Sequence, residues 1–110
     1  MMRLAMSPAA AGLLRGLIRR GGCSRDRILL TELHSVEWRS LTFVGERHQL
    51  ALRIAGPDAA AIAARVTDGL GDAEFTIPGQ VVADVACEGE PKLASDGCVT
   101  LRIEALTIED

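Results

Sequence analysis

The sequence predicts an α+β fold, in which four strands form one antiparallel sheet and two helices pack on one of its faces as a two-layer sandwich. Two observations predict this fold. Apolar residues recur at helical spacing in two separate segments, which is typical of amphipathic helices. After each of these segments, apolar and polar residues alternate over two further segments, as they do in strands with one buried face. The order helix, strand, strand therefore occurs twice.

The first helix has clear start and stop signals. Ser7 before Pro8 is typical of an N-cap followed by a first helical position, and Gly21-Gly22 indicates the end. The N-terminus also resembles a transit peptide, because it contains arginines and no acids, but the caps favour a structural helix. Its uncharged stretch, residues 4–14, is shorter than the ~20 residues that a membrane span requires. We therefore expect no membrane association.

Residues 24–54 are predicted to form a long hairpin. The apolar positions change from even to odd numbers near Arg39-Ser40, which predicts a β-bulge there. The turn is predicted at Gly45-Glu46. This register places Trp38 in the core as a large apolar plug. The predicted cross-strand pairs are Phe43–His48, Leu41–Leu50, Trp38–Leu52 and Val36–Ile54.

The second half repeats the pattern. Gly56-Pro57-Asp58 opens the second helix, and Gly69 is predicted to end it. A strand over residues 75–87 has its odd-numbered positions on the core and a bend at Pro78-Gly79, since proline is tolerated in a strand only at an edge or a bulge. A turn-rich loop separates it from a last strand that begins at Val99.

The end of the last strand departs from its own alternation. Its core phase runs on odd numbers through Ala105, whereas the apolar residues Leu106 and Ile108 are in the opposite phase. This change predicts either another bulge or a strand end that docks on a partner.

The two halves align without a gap when they are offset so that Pro8 falls on Pro57. This alignment predicts an internal repeat, residues 7–55 and 56–104, within a single domain. The order of the four strands resembles a circular permutation of the ferredoxin-like arrangement. The resemblance concerns element order and implies no activity.

Size and composition limit the class of protein. A chain of 110 residues is long enough for one core, and 48% hydrophobic with 25% charged residues is typical of a folded globular protein. Tyrosine is absent and the aromatic residues are Trp38, Phe43 and Phe75. Stacking on exposed bases is therefore scarcely available, which weighs against a protein that binds single-stranded nucleic acid.

Charge is unevenly distributed along the chain. Residues 1–57 hold nine arginines against four acids, a sum of +5, and residues 58–110 hold three basic residues against eleven acids, a sum of −8. We expect the two halves to complement each other within a monomer or across a dimer. The weaker alternative is nucleic-acid contact through the arginine-rich first helix and the loop after it. The arginines concerned are Arg15, Arg19, Arg20, Arg25 and Arg27.

The cysteines predict free thiols. Their number is odd, and no C-x-x-C spacing occurs among Cys23, Cys87 and Cys98, which argues against both a disulfide framework and a zinc site. Strand phase also places Cys87 and Cys98 on opposite faces. A reducing compartment, the cytoplasm, is therefore expected.

No recognised catalytic, nucleotide-binding or metal-binding motif occurs in the sequence. His34 and His48 are the best candidates for catalysis or metal binding. In the predicted hairpin they are on the order of 20 Å apart, because each strand residue advances ~3.3 Å, and this is too far to share a metal or a proton. Each is predicted to lie at the rim of the core. No residue is predicted to be catalytic, cofactor-binding or metal-binding, and no cofactor is expected.

The leading hypothesis is a small, non-enzymatic binding module that forms a homodimer. The far face of the sheet is too polar for a core and too rich in Ala and Val for a fully solvated surface, so that this face or an unpaired edge strand is predicted to form a symmetric contact. The alternative is a small enzyme or ligand-binding protein whose pocket forms at the dimer interface and uses His34 or His48. The residues predicted on the far face are Gln49, Ala51, Arg53, Thr76, Gln80, Val82, Asp84, Ala86, Thr100, Arg102 and Glu104.

Overall fold

The computed structural model describes residues 6–110 and confirms the α+β class, with two helices and a five-stranded antiparallel sheet. The segment predicted to be too short for a membrane span begins outside these residues. Between residues 6 and 110, no helix has the length and apolar character needed to cross a membrane. The helices are α1 (Pro8–Gly21) and α2 (Ala59–Thr67), and the strands are β1 (Ile28–Arg39), β2 (Val44–Ile54), β3 (Gln80–Cys87), β4 (Lys92–Leu93) and β5 (Val99–Glu109).

The long strands lie in the order β1-β2-β5-β3, and every pairing is antiparallel. Each half of the chain therefore contributes one central strand and one edge strand. The short β4, which lies in the segment predicted as a loop, pairs with the start of β5. The internal repeat and the ferredoxin-like permutation stay predictions.

One aliphatic core joins the helices to the face of the sheet that they cover, here called the inner face. Leu52 and Leu101 pair across the two central strands and are fully buried. Leu13 and Leu17 of α1 are also fully buried in the same cluster. On β2 and β5 the buried aliphatic residues of this core extend as far as Leu50 and Ala105. The remaining buried members are Ile28, Ile54, Ala59, Ile62, Ala63, Val66, Leu70, Ile77, Val85, Val99 and Ile103.

The predicted start of α1 is confirmed in atomic detail. The Ser7 side chain accepts a hydrogen bond of 3.1 Å from the backbone N–H of Ala10, and Gly22 closes the helix in the left-handed conformation. Two arginines then join the ends of the two helices. Arg20 donates to the carbonyl of Val66 at 3.0 Å, and Arg65 donates to the carbonyl of Gly21 at 2.8 Å.

The hairpin has a different register from the predicted one. Its bulge lies between Leu30 and Glu32, where the Thr31 hydroxyl donates to the Ala51 carbonyl at 3.2 Å, and not near Arg39-Ser40. The loop spans residues 40–43 and not Gly45-Glu46. The predicted pairs are therefore wrong: Val36 pairs with Arg47, Trp38 pairs with Gly45, Leu50 pairs with Leu33, and Leu52 pairs with Leu30.

The early bulge puts the later apolar residues of β1 on the outer face, which the helices do not cover. Trp38 is not a core plug but lies half-buried on this outer face, and Val36 is 64% exposed. Leu41 and Phe43, also predicted in the core, are exposed in the loop. The prediction assumed that the core continues along the whole hairpin. Because the buried aliphatic core ends at Leu50 on β2, the apolar residues of β1 beyond this point would gain no burial in that core by pointing towards the helices.

Strand β3 is shorter than predicted, because its first part is a turn. Pro78 and Gly79 occupy the corner, and the N–H of Gln80 donates to the carbonyl of Ile77 at 3.0 Å. Gly79 has φ +73°, a conformation that glycine adopts without steric cost at the third position of such a turn. The predicted bend at this site is confirmed.

A second bulge lies in β3 at Ala83, between Val82 and Asp84. It reverses the predicted phase at the start of the strand. Val82, predicted on the far face, packs against the core, and Val81 is 49% exposed on the outer face. Val85, beyond the bulge, is buried as predicted.

Candidate functional site

The outer face of the sheet has a polar half and an apolar half. In the polar half, Glu32 of β1 and Arg102 of β5 lie on either side of Ala51. They form an ion pair of 2.9 Å across it, which explains why Ala51 is only 3% exposed. In the next row, Gln49 donates to Glu104 at 3.1 Å. The charges of this half are therefore largely matched within the chain.

The apolar half lies towards the loop that joins β1 to β2. We call it the outer patch. Among its members, Val36 is 64% exposed and Val81 is 49% exposed. The outer patch consists of Val36, Trp38, Val81, Leu106 and Ile108.

The outer patch explains the phase change that the sequence shows at Leu106 and Ile108. Strand β5 has no bulge, and its inner phase continues on odd numbers to the buried Thr107. Leu106 and Ile108 therefore lie on the outer face because the strand continues regularly. Of the two predicted explanations, the bulge is wrong, and a strand end that docks on a partner stays a prediction.

Gly45 lies in the row of the outer patch that contains Trp38 and Ile108. A Cβ atom at this position would overlap the carbonyl oxygen of Thr107 and lie 3.2 Å from the Cα atom of Ile108. The backbones of β2 and β5 are therefore too close here for any other residue. Gly45 also leaves no side chain between Trp38 and Ile108.

A shallow depression of about 250 Å³ lies beside the outer patch and includes two of its residues. Arg47 is one of its lining residues; it is exposed and lies between Val36 and Leu106 in the sheet. The lining residues are His34, Val36, Glu37, Trp38, Arg47 and Gln49.

Strand β1 also presents an open edge. Within the part of the chain that the structure describes, it pairs only with β2, so one side of its backbone has no strand partner along twelve residues. Exposed edges of this kind are templates for pairing with another chain. Four of the residues that line the depression belong to this edge strand.

A second candidate centre lies on the inner face, just beyond the aliphatic core. His48 is fully buried there, and each of its ring nitrogens has a hydroxyl partner at 2.8 Å. Ser35 contacts Nδ1 and Thr107 contacts Nε2. His48 therefore links β1, β2 and β5 through its side chain.

The hydroxyl contacts of His48 fit a tautomer in which Nε2 carries the proton. In this tautomer the Thr107 oxygen accepts from Nε2–H, and the Thr107 hydroxyl faces the carbonyl of Glu46 at a long 3.5 Å. Nδ1 is then the acceptor for the Ser35 hydroxyl. Burial lowers the pKa of His48, and the nearby charge of Glu46 opposes this effect without reversing it. His48 is therefore mainly a neutral imidazole at pH 7.

The two histidines are closer along the sheet than predicted, but they do not form one site. His34 pairs with Gln49 and Ser35 pairs with His48, so the predicted separation on the order of 20 Å is wrong because the register is different. His34 is exposed on the outer face, whereas His48 is fully buried on the inner face at the end of the aliphatic core. Across residues 6–110, no group of three His, Cys, Asp or Glu side chains could hold a metal ion.

All three cysteines are free thiols. Cys98 is buried, and burial raises the pKa of the half-buried Cys87. A thiol with a raised pKa forms little thiolate at neutral pH and is a poor nucleophile.

Two of the five arginines considered for nucleic-acid contact have structural roles. Arg20 bonds the end of α2, as described above, and Arg27 donates to the carbonyl of Ala55 at 2.7 Å. Arg15, Arg19 and Arg25 are exposed, and Leu14 and Ile18 lie between them.

Sequence reasoning missed Ser35 and Thr107 as partners of His48. Thr107 was detectable, because it continues the odd phase of β5 that buries Leu101 and Ile103. Ser35 was not, since its inner position depends on the bulge after Leu30.

Comparison with known proteins gives structural similarity and no family. No protein-family model matches the chain, and no curated protein matches it. The structure is similar to that of the type 4 fimbrial biogenesis protein PilO from Pseudomonas aeruginosa, with a TM-score of 0.42 and 16% sequence identity. The match covers 96% of this chain and 70% of that chain. At this level of similarity we draw no functional conclusion from it.

Proposed function

We propose that this protein is a non-enzymatic interaction module that forms a homodimer through the apolar half of its outer face. The observation that carries the proposal is the outer patch itself. Its residues lie on the face opposite to the helices, and no segment of residues 6–110 packs over them. Contiguous exposed apolar residues on a small domain mark interaction surfaces more often than scattered ones do.

The surroundings of the outer patch support a protein partner. In the polar rows beside it, side chains are already paired with each other, Glu32 with Arg102 and Gln49 with Glu104. Such rows are suited to form the polar rim that surrounds the apolar centre of an interface. A stable interface involves roughly 20–30 residues on each side. The five residues of the outer patch are too few alone, so the contact extends to neighbouring rows or to the β1 edge.

A cytoplasmic location is part of this proposal. It is supported by the three free thiols, since exposed or half-buried cysteines persist unpaired in reducing compartments.

Light scattering at high micromolar concentration tests the proposal. We expect a particle of twice the 11.7 kDa mass of the chain. Val36→Lys is expected to shift the protein to monomer, because the charge would be buried in the contact. Leu93→Lys is the matched control: Leu93 is 73% exposed, on β4 and outside the outer patch, and this variant should remain dimeric. A monodisperse wild-type monomer would contradict the proposal.

The contact between Ser35 and His48 favours a second candidate, a small hydrolytic enzyme. The exposed Ser35 hydroxyl lies 2.8 Å from Nδ1 of a neutral histidine that accepts its proton, which is the arrangement of a nucleophile and its general base. Labelling by a fluorophosphonate probe tests this candidate. Labelling of Ser35 that is lost in Ser35→Ala would support it, and an unlabelled wild-type protein would eliminate it.

A further inference from the structure

We infer that the homodimer forms by antiparallel pairing of β1 with β1 of a second copy, centred on Val36. This inference rests on the proposed self-association and specifies its geometry. Two features of the sheet support it: the open backbone edge of β1, and the outer patch, which reaches that edge at Val36 and Trp38. Pairing of the edges would satisfy the backbone groups of both strands and bring the two outer patches side by side.

The part of β1 available for pairing is defined by its bulge. The bulge between Leu30 and Glu32 interrupts the strand, so the regular segment runs over residues 32–39. Within this segment the two charged inner residues neutralise each other, because Arg39 donates to Glu37 at 2.6 Å. The edge therefore carries no unmatched charge at its centre that would repel an identical strand.

Side-chain complementarity then selects the register. In an antiparallel pair, directly opposite residues share a face. With Val36 on the two-fold axis, Val36 meets the partner's Val36, and Trp38 meets the partner's His34, both on the outer face. On the inner face Ser35 meets the partner's Glu37, which places a neutral polar side chain opposite the carboxylate and no second negative charge. No like charges oppose each other in this register.

The neighbouring registers are less favourable. Centring the pair on Glu37 places two carboxylates opposite each other, and like charges directly across a ladder are destabilising. Centring it on Ser35 places Trp38 opposite the partner's Glu32, which already binds Arg102, and pushes Arg39 against the bulge at Thr31. The register centred on Val36 avoids both conflicts and pairs seven residues of each chain, from Leu33 to Arg39.

A cysteine at the two-fold axis tests this register. In the proposed dimer the Cα atoms of the two Val36 residues are roughly 4.5–5.5 Å apart, within the range of a disulfide. Val36→Cys is therefore expected to form a covalent dimer under mild oxidation, in which non-reducing peptide mass spectrometry finds the two introduced cysteines linked to each other. His34→Cys is the matched control. Its two copies would lie roughly 13 Å apart along the strands, so no such link is expected.

The outcomes separate this inference from the proposed function. A wild-type dimer whose Val36→Cys variant is dimeric by light scattering, yet stays reduced at the introduced cysteine, would overturn edge pairing and leave the homodimer standing. Equal cross-linking of His34→Cys would also overturn the register. A wild-type monomer at high micromolar concentration would overturn both the homodimer and its geometry.

Discussion

Replacing Gly45 by alanine is expected to lower the free energy of unfolding by about 3 kcal/mol, the upper part of the usual range for overpacked sites. The added Cβ would overlap the Thr107 carbonyl oxygen and crowd the Cα atom of Ile108. Both obstacles belong to the backbone of β5, so no side-chain rotation relieves them. Relief requires that β2 and β5 separate where His48 and Thr107 meet. Chemical denaturation followed by Trp38 fluorescence measures the change.

Gly71→Ala is the matched control for this substitution. A Cβ at Gly71 has open space around it, and the residue does not occupy a left-handed conformation. This variant should be as stable as the wild type or slightly more stable, because alanine restricts the unfolded chain more than glycine does. Equal effects at positions 45 and 71 would show that the close approach of β2 and β5 is wrong.

Acidification between pH 7.5 and pH 5 is expected to destabilise the fold through His48. Burial lowers the pKa of His48 in the folded state, so the unfolded chain binds more protons below its ordinary value of about 6.5. The stability that the neutral imidazole contributes is complete above that value and is lost as the pH falls towards the folded pKa. The free energy of unfolding can change by about 1.4 kcal/mol per pH unit where the unfolded state binds one proton more than the folded state. Denaturation midpoints measured across this interval test the expectation.

Histidine variants show which residue causes this pH dependence. His48→Gln removes the titrating group and should give a flat profile between pH 7.5 and pH 5, whereas His34→Gln should retain the wild-type slope. The lower limit of the interval avoids Asp26 and Asp96, whose pKa values are lowered by hydrogen bonds from the Ser24 hydroxyl and the Cys98 backbone N–H. A pH dependence that survives in His48→Gln would contradict the assignment.

The elements whose start and end have local chemical causes were predictable. Ser7-Pro8 and Gly22 bound α1 as their capping chemistry indicates, and the Pro78-Gly79 corner forms where a turn was expected. The inner phases of β2 and β5 were also predictable, because the helices cover most of their length and burial then follows alternation.

The register of the hairpin was not predictable, because its bulge has no strong local signal. Thr31 is an ordinary strand residue, and its hydrogen bond to Ala51 joins positions far apart in the sequence. The apolar character of Val36 and Trp38 then pointed to the wrong face. Alternating apolar residues indicate that one face of a strand is buried. A single sequence does not show whether the chain's own core or a partner buries that face.

The candidate sites were also predictable where they depend on local sequence patterns and not where they depend on strand register. The far face was predicted as a contact surface from its composition, and its polar residues Gln49, Arg102 and Glu104 lie there as expected. The centre of the outer patch was assigned to the core instead. The contact of His48 with Ser35 depends on register and was therefore inaccessible from sequence patterns.

The positions of the two bulges have a consequence for changes in chain length. Both lie in the outermost long strands, at Thr31 and Ala83, whereas the central strands β2 and β5 pair without interruption. Deleting Thr31 or Ala83 would give a regular ladder and leave every other side chain on its present face. Deleting one residue from β2 or β5 would exchange the two faces of a strand that has neighbours on both sides. Deletion of either bulge residue is thus expected to leave the sheet intact, whereas a deletion in β2 or β5 is expected to disrupt it.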